Sequence, residues 1–454
     1  MDMEGNQQIV HVIGAGLAGC EAAWQLASQG ISVKLYEMKP KKYTPAHSYS
    51  GFAELVCSNS LKASRLDSAA GLLKAEMKLL GSIVMESALQ NSVPAGGALA
   101  VDRVKFSDDI TKQIQEHPNI QVIAEEVTQI PDGWVVIASG PLTSDSLAQQ
   151  IQTLVQTEQL SFFDAAAPIV SADSIDRSIV FEASRYGKGD SDDYLNCPMN
   201  QEEYERFYQE LILAESAPLK EIDKRDFKVY EGCMPVEVMA KRGIDTLRFG
   251  PLKPVGLTDP RTGRFPWAVV QLRKENREAT MYNLVGFQTN LKWGEQKRVF
   301  SLIPGLEHAE FYRYGVMHRN TFLNSPKLLD HHFCLKSKPT VFFAGQITGV
   351  EGYIESAASG IYVGLNLARK LQGKSMIDLP KETMLGALSN YISDETVVDF
   401  QPMGSNMGIL PSLLERVKNK KLRYQMIAQR GIQALQDCLQ HNGIHFIPYE
   451  EVGQ

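Results

Sequence analysis

At both ends of the chain, short apolar runs alternate with longer stretches in which apolar positions recur every three to four residues. Segments 9–13, 31–36, 120–124, 134–138 and 340–345 are short, apolar and rich in β-branched or aromatic residues, the pattern of buried parallel strands. Helical spacing fills the intervals. One helix is predicted over 22–27, closed by Gly30, and another over 67–89 with Leu72, Leu73, Met77 and Leu80 inward and an interruption at Gly81. A third carries Ile110 and Ile114, with Ser107 as its N-cap and Asp108 and Asp109 in its first turn. A fourth, 355–371, has a face of small residues: Ala357, Ala358, Gly360, Gly364 and Ala368. Beyond about residue 150 the pattern loosens. Single helices such as 201–214 stand among proline-punctuated stretches, with strand-like pieces at 268–272 and 282–286. Strand–helix alternation interrupted by such a segment predicts an α/β fold with an inserted α+β domain.

The first strand runs into Gly14-Ala15-Gly16-Leu17-Ala18-Gly19, a G-x-G-x-x-G turn opening a helix. Gly14 permits the tight turn, Gly16 lets backbone approach a pyrophosphate, and Gly19 lets helix pack closely on strand. The helix N-terminus offers free N–H groups and a positive dipole end to phosphate. The second strand ends in Glu37, 23 residues after the first glycine, where an acidic side chain binds ribose hydroxyls. Alone, the glycines describe only a glycine-rich turn. With both strands, the helix and the acid, they read as a dinucleotide site. Far downstream, the 340–345 strand ends in Gly345, and Gly349 and Gly352 follow in the loop before the small-faced helix. A second glycine-rich crossover argues for FAD over NAD as resident cofactor, with that helix N-terminus facing the flavin ring. The expected fold is therefore a Rossmann-like FAD-binding domain of the two-dinucleotide flavoprotein type. Its first part spans 1–148, the insertion 149–309 faces substrate, and 310–454 completes it with a basic helical tail over 416–430.

Composition removes several classes. A hydrophobic fraction of 44% and charged fraction of 22% are ordinary for a globular protein, and the start, MDMEGNQQ, does not read as a signal peptide. No run of about 18 apolar residues occurs, so no membrane span is expected. The six cysteines lie at least 36 residues apart without metal-ligand spacing, which indicates neither zinc nor a disulfide framework and fits a reducing cytoplasm. With a net charge of −7, a nucleic-acid partner has to be held by local basic patches. Lys39, Lys41 and Lys42 in a proline-broken loop, and Lys418, Lys420, Lys421 and Arg423 in the tail, read either as solvated faces or as such patches. Cys57, in Leu55-Val56-Cys57-Ser58-Asn59, and Cys233, ahead of a proline-started helix, each read locally as core thiol or activated thiol.

The blocks GAGLAGCEAAWQLA, FAELVCSNSLKA, VPAGGALAVDR, EGCMPVEVMAKRG, VGFQTNLKWGEQKRVF, YGVMHRNTFLNSP and FFAGQITGVEGYIESAASG span nearly the whole chain. In that order they resemble the bacterial folate- and FAD-dependent tRNA uracil-5-methyltransferases. The resemblance implies C5-methylation of a T-loop uridine to ribothymidine. The methylene would come from 5,10-methylenetetrahydrofolate through reduced flavin N5, with NAD(P)H reloading the flavin. Such chemistry needs a thiolate adding at C6 to make C5 nucleophilic. The family's two cysteines map onto Cys233 as nucleophile and Cys57 as flavin-side thiol, the reverse assignment staying open. Cys20, following Gly19, faces helix packing and takes no role. A flipped base would want a stacking platform, for which His318, Arg319, Asn320, Phe287 and Trp293 are candidates. Three alternatives remain: the same chemistry on ribosomal RNA, wobble-uridine modification of tRNA, and a flavin-bearing RNA-binding protein without activity. The wobble-uridine class shares the run at 344–358, but its long extra C-terminal helical domain is missing here.

Overall fold

Parallel strands covered on both faces read as mostly apolar runs, and five short segments supply them, with His11, Lys34 and Gln121 as polar interruptions. In the computed structural model, Val341–Phe343, Trp134–Ile137, Ile9–Ile13, Ser32–Tyr36 and Ile120–Ile123 lie side by side in that order, every pair parallel. Residues 8–156, 160–187, 193–218 and 234–446 are described, without the side chains of 160–164, 318 and 319. Val10, Val12, Val33, Leu35, Val135, Val136 and Phe342 are all buried. The Leu17–Ser28 helix covers the sheet, and the Tyr353–Leu371 helix packs against it. The small face explains how closely. A Cβ on Gly360 would sit 2.2 Å from the Ala18 carbonyl oxygen, and one on Gly364 2.7 Å from that of Ala22.

A second sheet, antiparallel, holds Phe181–Glu182, Tyr194–Met199, Ala268–Lys274, Met281–Leu284, Ile169–Ser171 and Phe311–Arg313 in that order. It has its own core, in which Phe207 of the Gln201–Leu213 helix meets Phe287, and Phe287 meets Phe300 edge-on. That helix starts at a capping box in which the Asn200 side chain accepts from Glu203 N–H and the Glu203 carboxylate from Asn200 N–H. An antiparallel ribbon of Leu160–Ala165 and Met317–Phe322 stands apart from both sheets. Among the described residues, no helix is long and apolar enough to cross a membrane.

Local chemistry moved three helix boundaries. The 67–89 helix is two helices, Ala69–Leu79 and Ile83–Gln90, broken where Gly81 takes φ +71° and Ser82 caps the second by accepting from Met85 N–H at 3.0 Å. Ser107 is not an N-cap. Asp102 accepts from Lys105 N–H at 3.1 Å and starts the Arg103–Glu116 helix one turn earlier, leaving Ser107 buried and donating to the Phe52 carbonyl. The basic tail begins its helix at Lys420, capped by Asn419, and runs to His441 because Ile427, Ile432, Leu435 and Leu439 continue an apolar face into the first core.

Candidate active site

The first turn of the Leu17–Ser28 helix leaves N–H groups without intrahelical partners, and no side chain caps them, since the N-cap is Gly16. Gly14 holds φ +99°, with a hypothetical Cβ 2.7 Å from the Ala138 carbonyl oxygen, so only glycine makes this turn. A Cβ on Gly19 would overlap the Gly14 carbonyl oxygen at 1.8 Å, whereas one on Gly16 would meet nothing within 4 Å. Gly16 faces open space. That space is a cavity of about 480 Å³ lined by Gly14, Ala15, Gly16, Leu17, Ala18 and Glu37. Glu37 accepts from Ala15 N–H and Lys39 N–H, both at 3.0 Å, which ties the glycine turn to the end of the second strand. Uncapped N–H donors for a pyrophosphate, a glycine clearance and a carboxylate acceptor for ribose hydroxyls are what a dinucleotide requires, so the residues fit FAD.

The cavity's other wall holds Gly345, Gln346, Gly352, Tyr353 and Cys57. Gly345 (φ +85°) and Gly352 (φ +119°) bend the loop so that the Tyr353–Leu371 helix opens onto the cavity. Cys57 is half-buried and held on every side. Its N–H donates to the Tyr353 hydroxyl at 2.7 Å, and its carbonyl accepts from Arg103 Nη2 at 3.2 Å and Arg313 Nη2 at 3.4 Å. Its thiol donates to the Ala165 carbonyl at 3.4 Å. Arg103 is itself anchored by Glu275, whose carboxylate takes Nη2 at 3.2 Å and pairs with Nε. Burial, helped by the neighbouring Arg103 charge, pushes the Arg313 guanidinium down to about 10. Burial and the neighbouring Cys57 push the Tyr353 hydroxyl up, keeping it a neutral O–H. Two guanidiniums thus lean on the backbone of one thiol that faces the cavity.

Of the residues singled out from sequence, Gly14 to Ala18, Glu37, Cys57, Gly345 and Gly352 line this one cavity. Gly19 and Gly349 stand behind it. Gly19 closes helix onto turn, and a Cβ on Gly349 would strike the Phe400 ring at 2.4 Å. Cys20 is buried against the Ala15 carbonyl. Cys233 and the side chains of His318 and Arg319 lie outside the described residues. Asn320 lines the cavity. Phe287 does not, being wholly buried in the second core, and Trp293 is 63% exposed and stacked on Tyr314. Lys39 is neither a solvated nor a free cation: buried, it clamps the carbonyls of Tyr49 and Gly51 and pairs with Glu54 at 3.3 Å. Sequence reasoning passed over Tyr353, Arg313 and Glu275. Only the position of Tyr353 directly after Gly352, at a helix start, was a usable signal.

The family described as glucose inhibited division protein A matches residues 9–375. A protein of Acetivibrio thermocellus is 59% identical over 429 residues, covering 94% of this chain and 98% of its own. One of Desulfitobacterium hafniense is 60% identical over 436 residues, covering 96% and 99%. Both carry the name methylenetetrahydrofolate–tRNA-(uracil-5-)-methyltransferase. Aquifex aeolicus GidA shares the fold, with a TM-score of 0.68 at 16% identity over 96% of this chain and 75% of that one. These matches bear out the resemblance carried by the sequence blocks and the α/β FAD-binding fold class. The chain belongs to the methylenetetrahydrofolate–tRNA-(uracil-5-)-methyltransferase family, built on the fold of glucose inhibited division protein A.

Proposed function

We propose that this chain methylates C5 of a T-loop uridine in tRNA in the cytoplasm, taking the carbon from 5,10-methylenetetrahydrofolate and reducing equivalents from NAD(P)H. The observation that carries the reading is a single cavity with an uncapped glycine turn and Glu37 on one wall and the clamped Cys57 thiol on the other. When bound, FAD supplies the hydride and the means of passing a one-carbon unit from folate to uracil. Gly14 to Ala18 and Glu37 would hold its pyrophosphate and ribose, with Gly19 closing the helix onto the turn behind them. The loop carrying Gly345 and Gly352, backed by Gly349, would offer a helix N-terminus to its ring.

The chain's own chemistry concerns uracil. Cys233 is assigned as nucleophile: its thiolate adds at C6, C5 becomes an enolate carbon, and C5 can then attack a one-carbon electrophile. Loss of the C5 proton and departure of the thiolate restore the ring. Cys57 is assigned to the flavin side, where it takes up that proton or shields the cofactor, and the two cysteines exchange roles in the alternative assignment. In this reading 1–148 and 310–454 form the flavin side and 149–309 the RNA side. Exposed Lys418, Lys420 and Lys421 grip phosphate beside the half-buried Arg423.

The test is methylation of unmodified tRNA beside ribosomal RNA, with methylenetetrahydrofolate and NAD(P)H or with S-adenosylmethionine. The expected result is ribothymidine in tRNA only, dependent on folate and lost in Cys233→Ala while flavin is retained. Methylation driven by S-adenosylmethionine, or a colourless protein that takes up no flavin, would overturn the reading.

A further inference from the structure

Asn320 is 1% exposed and lines the cavity it shares with Cys57, yet among the described residues neither its Oδ1 nor its Nδ2 has a hydrogen-bond partner. Buried side-chain amides are almost always satisfied, because leaving donor and acceptor unpaired forfeits their hydration without return. Its position is set by backbone. Asn320 lies in the Met317–Phe322 strand opposite Phe162, and the following residues are pinned by Thr321 N–H to the Pro141 carbonyl (3.1 Å) and Leu323 N–H to the Ile347 carbonyl (2.8 Å). The partner strand of the ribbon ends at Ala165, whose carbonyl accepts the Cys57 thiol. An unsatisfied carboxamide and a clamped thiol therefore share one cavity.

A carboxamide presents one acceptor and one donor side by side. Its complement is a lactam edge, a ring N–H next to a ring C=O. We propose that Asn320 binds the lactam edge of a heterocycle in this cavity. The inference rests on the functional reading above, under which three molecules carrying that edge come to the site: the isoalloxazine of FAD, the pterin of the folate and the target uracil. The lactam is what they share, and the described residues offer Asn320 no partner of their own.

The variants are Asn320→Leu and Asn320→Asp in the full-length protein. Leucine keeps the size and removes both polar atoms, so the ligand-free variant should melt no lower than the parent. At the same time it should lose about tenfold or more in affinity for one of the three partners, as expected for two lost hydrogen bonds. Flavin content and reconstitution identify the isoalloxazine. Fluorescence titration of flavin-loaded protein with tetrahydrofolate identifies the pterin. A rise in KM for tRNA at unchanged kcat, with flavin and folate binding intact, identifies the uracil. Aspartate loses the donor when ionised and regains it when protonated, and burial raises a carboxyl above its usual range of about 4. The affinity missing at about pH 8 should therefore return as the pH falls through that raised value.

A leucine variant that melts well below the parent but keeps all three affinities would make Asn320 a structural residue satisfied by water, and would overturn the inference. So would a variant matching the parent throughout. Should the leucine variant not fold, the aspartate titrations decide alone: parental affinities at about pH 8 overturn the inference. A parent that itself takes up neither flavin nor folate defeats the functional reading, and the inference with it.

Discussion

The Tyr353 hydroxyl accepts from the backbone N–H of Cys57 at 2.7 Å, joining the first residue of the long second-crossover helix to a thiol 296 residues earlier. The same oxygen takes Ser58 N–H at 3.3 Å. Tyr353→Phe leaves both N–H groups without that acceptor in a part-buried setting, at a cost of about 1–3 kcal/mol. Chemical denaturation of the variant should show that loss. Single-turnover methylation should slow as the Cys57 segment loosens, while flavin content stays near the parent's because the glycine turn is untouched. Parental stability and rate together would mean that Tyr353 does not hold Cys57.

Gly16 and Gly19 separate binding from folding. A methyl on Gly16 meets nothing in the chain and projects into open space, so Gly16→Ala should change stability by about 0.5 kcal/mol or less. It should nevertheless purify with little flavin, since the cofactor's pyrophosphate needs that clearance. Gly19→Ala drives a methyl into the Gly14 carbonyl and should cost about 1–3 kcal/mol or more, with or without flavin. Flavin absorbance against protein concentration, set beside a melting curve, checks both. Equal flavin content in Gly16→Ala and parent would place the phosphate elsewhere.

These glycines were legible in the sequence because each constraint is local: a turn, a close approach, a helix start, all within 24 residues from Gly14 to Glu37. The setting of Cys57 was not. Its partners Ala165, Tyr353, Arg103 and Arg313 are 108, 296, 46 and 256 residues away, and no spacing rule reaches so far. Ser107 misled for a different reason. Asp102 is as good a cap and comes first, so the helix began before the serine was reached. Phe287 looked available for stacking only because the irregular sequence around it hid its contacts with Phe207 and Phe300.

Glu37 carries two duties where sequence suggested one. Beyond the expected contact with ribose, its carboxylate accepts from Ala15 N–H and Lys39 N–H, at 3.0 Å each. Glu37→Gln turns one acceptor into a donor facing a donor, and should cost about 1–3 kcal/mol in the flavin-free protein. It should also weaken FAD, so the rise in melting temperature on adding FAD should be smaller than the parent's. Thermal melts at several FAD concentrations test this. A full parental shift on a lowered baseline would leave Glu37 with only its structural duty.

Glu21 makes the stability depend on pH in a direction opposite to ordinary carboxylates. It is wholly buried, its Oε1 accepts from the Ser82 hydroxyl and from Val84 N–H at 3.1 Å, and among the described residues its Oε2 has no hydrogen-bond partner. Burial pushes its carboxyl up from 4.5 to about 8. Between those values the folded chain holds a proton that the unfolded chain has released. Stability therefore falls as pH rises across that window, by up to about 1.4 kcal/mol per pH unit, and levels off above it. Glu76, pushed by burial from 4.5 to about 7, acts in the same direction, but it also accepts from Met384 and Leu385 N–H and so cannot be replaced without disturbing a helix start. Glu21→Gln mimics the protonated form and keeps an oxygen for Ser82 and Val84. The variant should match the parent near pH 4.5 and exceed it near pH 8. Denaturation at a series of pH values reads the difference directly, and a gap that stays constant with pH would mean that Glu21 does not titrate in this window.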